Sequence, residues 1–186
     1  MQPNELFHHF GLIAFSLFLL VMTVTLGVWG KDHALSLSGH AAKQRTSYAV
    51  FLTGLTTAGV LFYLFGSQWL APTLQLNVVF SVLLAAATFL ELITALVPDA
   101  GGVRGTIHRL AAWSMALCMG LLSILVVVAP SMHGLAQIMC AMLAVYMVFT
   151  LLLFLFVPRT RTHFLLYQSS YVLSFFVIML IAAYVR

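Results

Sequence analysis

An acidic side chain, Glu91, stands well inside a long apolar run, and it is the first residue of this chain whose type and place call for chemistry. An ionised carboxylate surrounded by hydrocarbon costs several kcal/mol, so it must face a protein interior with partners or carry a proton. On a helix ending at Pro98, seven residues further on, it would lie about 10 Å from the end at 1.5 Å per residue. Asn77, Ser81, Thr88 and Glu91 follow one another at steps of four, seven and three, which is a single helical stripe. A second constellation is Asp99 with His108, nine residues apart across a glycine-containing loop and flanked by Arg104 and Arg109. A carboxylate and an imidazole that meet this way serve general acid/base work or metal binding. His33, His40 and His163 belong to the same side and offer further nitrogens, but their spacing matches no compact metal motif, and no metal is assigned.

The elements that must position these residues are six apolar runs, at 10–29, 48–66, 74–98, 111–129, 135–157 and 164–185. Each is about as long as a helix needs to be to cross roughly 30 Å of hydrocarbon. Hydrophobic residues make up 63% of the chain and charged residues 6%. A soluble domain has about 25% charged residues, so this chain lacks the polar surface to coat a water-soluble globule. Continuous runs, rather than short alternating segments, favour helices over a barrel. The expected fold is all-α: one domain over residues 1–186, a polytopic bundle of six transmembrane helices. The leader MQPNELFHH carries no Lys or Arg, and the first run exceeds a signal core of about 7–15 residues, so that run is read as a retained helix. Cys118 and Cys140 fall inside runs without a CxxC partner and read as buried apolar cysteines.

Orientation follows from the basic residues. The connections after the first, third and fifth runs carry Lys31, Lys43, Arg45, Arg104, Arg109, Arg159 and Arg161, against Arg186 alone on the other side. The positive-inside rule then puts both termini outside, in a multi-pass protein of the plasma (inner) membrane. The net charge of +4 reads as attraction of those seven residues to anionic lipid headgroups. Split over three loops, they make no phosphate-tracking patch, so nucleic acid is not an expected partner. The connection at 31–47 is the longest, with room for an amphipathic piece whose Lys31, His33, His40, Lys43 and Arg45 rest on headgroups.

With that orientation, polar side chains gather in the inner half of the runs. The expected pocket comprises Glu91 and Thr88 from the third helix, Thr53 and Thr56 from the second, and Tyr167, Gln168, Ser170, Tyr171 and Ser174 from the sixth. Ser and Thr also serve as packing glue in membranes, each interhelical bond contributing about 0.6–2 kcal/mol, so a satisfied polar cluster is the competing reading. No run contains a histidine, which argues against haem held between helices. Walker, GxGxxG, GxSxG and HExxH motifs are absent, as is a Ser/His pair within the runs, and no cofactor is expected. Val97-Pro98 and Val157-Pro158 each end a run, and each is followed by a basic loop and a histidine, His108 or His163, as in a duplicated hairpin. Thr106 is placed to cap the fourth helix.

The stretch LITALVPDAGGVRGTIHRLAAW, residues 92–113, resembles the signature of the bacterial six-helix membrane family catalogued as domain of unknown function 998. That family is distantly similar to eukaryotic DRAM-like membrane proteins. The resemblance implies a six-span fold and makes Pro98, Asp99 and His108 characteristic positions; it implies no reaction. Three functions are compatible with the residues. One is a non-enzymatic protein binding a lipid or small amphiphile in the inward pocket. Another is an intramembrane lipid hydrolase using Asp99 and His108, and the third is a small proton-coupled transporter using Glu91. Membrane lipids are the expected partners, and Gly54 and Gly59 permit close packing within the chain or with a second membrane-spanning chain.

Overall fold

Backbone polar groups in hydrocarbon must be satisfied within their own segment, and long helices do this. The computed structural model describes residues 5–29, 32, 35–97 and 102–185, without the side chains of Trp29 and Arg161. A single turn, α1 (Glu5–His8), leads into α2 (Phe10–Trp29), and the short α3 (Leu37–Ala41) lies in the first connection. After it, α4 (Arg45–Phe65) runs through a π-helical turn at Gly66–Leu70 into α5 (Ala71–Leu74). The chain continues through α6 (Val78–Leu96), α7 (Gly102–Val127), α8 (Gly134–Phe156) and α9 (Phe164–Tyr184), with a 3-10 turn at Pro158–His163 joining the last two. No strand occurs among the described residues, and six helical segments are long and apolar enough to cross a membrane. The protein is an all-α, multi-pass membrane protein.

The six long helices close a ring. Neighbours pack in the order α2, α4, α6, α7, α8 and α9; α9 returns to α2 and also touches α7. Of the six, α9 is the most enclosed and α8 the least. The outer surface is a belt of exposed apolar side chains such as Val82, Phe89, Val145, Phe149 and Leu155, a coat that suits lipid and not water. Inside, Phe18, Phe62, Phe175 and Phe176 interlock. Phe62 meets Phe176 edge-on at 5.1 Å between ring centroids, and Phe18 stacks on Phe176 at 5.3 Å. Such pairs add about 0.5–1.5 kcal/mol each beyond their buried area. Gly54 lets α4 approach α2, since a Cβ there would collide with the Val21 side chain.

Several helix ends differ from the sequence expectation, each for a local reason. The segment SQWLAPT, which lies between the second and third apolar runs, is helical. Pro72 cannot donate and would crowd the carbonyl four residues back, and the π turn just before it absorbs the mismatch, with Ala71 N–H donating to Gly66 O. The helix then stops at Gln75, which takes a left-handed φ of 55°, with Leu76 N–H closing onto Ala71 O at 2.9 Å. Asn77 is not part of the Glu91 stripe but the N-cap of α6, accepting from Val79 and Phe80 N–H, while Ser81 is exposed on the outer face. Thr106 does not cap α7, which begins at Gly102; its hydroxyl donates back to Gly102 O at 3.1 Å. Because α7 starts early, His108 lies inside a spanning helix, which corrects the expectation that no span holds a histidine.

Candidate functional site

The ring forms a partly open cavity of about 110 Å³ between α2, α4, α6, α7 and α9. Most of its wall is apolar, with Phe18, Phe51, Phe62, Met115, Met119 and Phe175 among the lining residues. Its polar lining is Ser38, Thr88, Glu91, Thr94, His108, Gln168 and Ser169. Ser38 comes from α3, so the first connection forms part of the wall. Leu37, Ser38, His40 and Ala41 are all buried, and α3 therefore plugs the basic end of the bundle instead of lying on headgroups. Two apolar side chains and a fully satisfied histidine make that insertion possible. His40 Nε2 accepts from Asp32 N–H at 2.8 Å, and its Nδ1–H donates to Ser36 O at 2.9 Å.

A directed chain of hydrogen bonds ties this plug to the ring. Val97 ends α6 in an extended conformation, as the residue before a proline must, and its carbonyl is left without a helical donor. His108 supplies one: Nδ1 lies 2.7 Å from Val97 O. A carbonyl only accepts, so Nδ1 carries a proton, and in the neutral imidazole Nε2 carries a lone pair. That lone pair accepts from the Ser38 hydroxyl at 2.9 Å. Ser36 Oγ lies 3.0 Å from Ser38 Oγ and caps α3 by accepting from Gly39 N–H at 3.0 Å, so its own proton is directed to Ser38. Beside them, Leu37 N–H donates to Gln168 Oε1 at 3.0 Å, which fixes that amide and assigns its other end as NH2. A hydroxyl, the imidazole that it bonds to and an oriented amide thus share one end of the cavity.

Glu91 borders the same space. Its carboxylate packs over Gly59 of α4, where any Cβ would collide with it. Its backbone carbonyl accepts from Thr94 Oγ1 at 2.8 Å, but among the described residues no hydrogen bond reaches its carboxylate oxygens. The acid is therefore placed against the cavity by the absence of a side chain opposite, not by an ion pair.

The structure brings Glu91, Thr88 and Gln168 of the sequence-expected pocket into this cavity. Tyr167 and Tyr171 line a second one of about 90 Å³ between α7, α8 and α9, which shares Gln168 with the first. Tyr171 donates to Ala116 O at 2.6 Å. Ser170 and Ser174 bond back to Tyr167 O and Ser170 O of their own helix. Thr53 is exposed and Thr56 half-buried on α4. Lys43, Arg45, Arg104, Arg109 and Arg159 are exposed at the end where α3 sits; Lys31, His33, Asp99 and the Arg161 side chain lie outside the described residues. His108 is committed to Val97 and Ser38, and His163 is exposed. Among the described residues, no three His, Cys, Asp or Glu side chains cluster as a metal shell would require.

Ser38 and Thr94 were not anticipated. The available signal for Ser38 was the run Ser36-Leu37-Ser38-Gly39-His40, a cluster of capping and hydrogen-bonding types in an otherwise basic connection. Its pairing with His108, seventy positions away, has no local signature. Compared with protein-family models, curated proteins and solved structures, the chain matches none.

Proposed function

We propose that this protein binds a lipid or a small amphiphile in the cavity under α3, with the apolar tail among the phenylalanines and the polar end towards Glu91, Gln168 and Ser38. The observation that carries this reading is a carboxylate that, among the described residues, has no hydrogen-bond partner, on the wall of a mostly apolar cavity. A buried acid in that state is stabilised by a ligand that donates to it, by water or by a proton. Aliphatic and aromatic walls with a few convergent polar groups are the usual composition of a small-molecule site. The exposed Lys43, Arg45, Arg104, Arg109 and Arg159 would hold anionic headgroups of the inner leaflet around the mouth, in the orientation expected from the basic loops.

Native mass spectrometry of protein released from mild detergent tests this. Wild type is expected to retain lipid. Val172→Trp, which fills space bordered by both cavities, should lower retention severalfold, while Val82→Trp on the outer face should not. Glu91→Gln should change which lipid class stays. Retention that ignores both Val172→Trp and Glu91→Gln would defeat the proposal.

A proton-coupled carrier is the second reading, favoured by the same unpartnered carboxylate, since an intramembrane acid that gains and loses a proton is the usual minimum for coupling. It requires pH-driven flux in proteoliposomes that Glu91→Gln removes; flux unchanged in that variant rejects it.

A further inference from the structure

The bonds around His108 have a direction that docking α3 does not require. Burial of Leu37 and Ala41 and the bond from Leu37 N–H to Gln168 already hold the plug in place. Beyond that, a serine hydroxyl donates to an imidazole nitrogen, and the imidazole is oriented from behind by a third group, the Val97 carbonyl. Nucleophile, base and orienting group within hydrogen-bond reach is the arrangement that activates a hydroxyl for attack. Both Ser38 and His108 line the cavity, whose remaining wall is largely hydrocarbon.

We propose that Ser38 and His108 form a nucleophile–base pair that hydrolyses an acyl ester whose chain occupies the cavity. This rests on the reading of the cavity as an amphiphile site and names the class of molecule that enters it. Ser38 Oγ forms a bond to the ester carbonyl carbon while its proton passes to His108 Nε2; the imidazolium formed is held by the Nδ1–H bond to Val97 O. The carbon–oxygen bond to the alcohol then breaks, and the alcohol leaves with the Nε2 proton. Water attacks the acyl-serine, gives a proton to Nε2, and Ser38 recovers its own as the acid departs. The net change is ester plus water to carboxylic acid plus alcohol. The Gln168 amide lines the same cavity, and because its Oε1 accepts from Leu37 N–H its NH2 group remains as the donor for the developing oxyanion.

The test uses the full chain in nanodiscs, treated with a long-chain alkyl fluorophosphonate and read by intact mass and peptide mapping, with lipid retention measured on the same samples. A single adduct on Ser38 is expected, absent in Ser38→Ala, together with hydrolysis of a p-nitrophenyl acyl ester that Ser38→Ala abolishes. His108→Gln should slow both by about 100-fold or more, the lower range for loss of a general base. Lipid retained by wild type on the same samples reads the binding site separately from the nucleophile. Wild type that retains lipid but takes no phosphonate on Ser38 overturns the nucleophile and leaves the binding site standing. Labelling and turnover at Ser38 in protein that retains no lipid would support the pair and count against stable binding. Ester turnover unchanged by Ser38→Ala overturns the proposal without needing the histidine variant to fold.

Discussion

At Val97 the chain leaves α6 with φ −108° and ψ 102°, and at Val157 it leaves α8 with φ −112° and ψ 97°; in both cases a proline follows. Both corners free a carbonyl that the helix can no longer serve. The second corner solves this locally. Thr160, two residues after its proline, donates to Val157 O through N–H at 3.0 Å and through Oγ1 at 2.7 Å, and His163 is left at the surface. At the first corner the position two after the proline is Ala100, which has no hydroxyl. There the donor is His108, eleven residues on and one helix away. The difference teaches how a small change in a repeated corner creates a site. A cap taken from the next helix ties two helices together and leaves the second imidazole nitrogen facing the cavity and α3.

If that contrast is right, the two histidines answer differently to the same change. His108→Ala strips the donor from Val97 O and the acceptor from Ser38 in a buried setting. At about 1–3 kcal/mol for each unsatisfied buried group, a loss of roughly 2–5 kcal/mol is expected, measured by reversible unfolding in mixed micelles. Hydrogen exchange of the His40 and Ala42 amides should speed up modestly in that variant, because α3 loses its bond to α7 while the burial of Leu37 and Ala41 and the Gln168 bond remain. Ser38→Ala takes the partner from Nε2 and from the part-buried Ser36 hydroxyl and should cost about 1–2 kcal/mol. Thr160→Val removes the hydroxyl cap at the second corner but keeps its backbone donor, and about 1 kcal/mol is expected with no effect on α3 exchange. His163→Ala should fall within about 0.5 kcal/mol of wild type, as exposed substitutions do. Equal losses for His108→Ala and His163→Ala would erase the distinction between the corners.

The membrane class was legible from composition and run length, because hydrocarbon leaves the backbone few alternatives to a long apolar helix. Both corners were legible too, since Val-Pro acts on the backbone within one residue. The second apolar run ends at residue 66 by hydropathy, yet the helix continues to Leu74, because a π turn lets it pass Pro72. The stripe through Asn77 failed because an Asn at a helical interval is also a good cap. Glu91, Thr88 and Gln168 could be placed by depth alone, and all three reach the cavity. Depth says nothing about rotation, so Thr53 at a similar level turns outward.

By itself, then, the sequence determined that this chain is a bundle of spanning helices with one acid at membrane depth and most of its cations in the connections at one end, since these depend on local composition and transfer free energy. Only the tertiary structure decided that α3 enters the bundle and that Ser38 meets His108 below Val97. Those contacts join residues far apart in the chain, and they exist because a freed carbonyl, a buried imidazole and a buried hydroxyl each require a partner that no neighbour in sequence supplies.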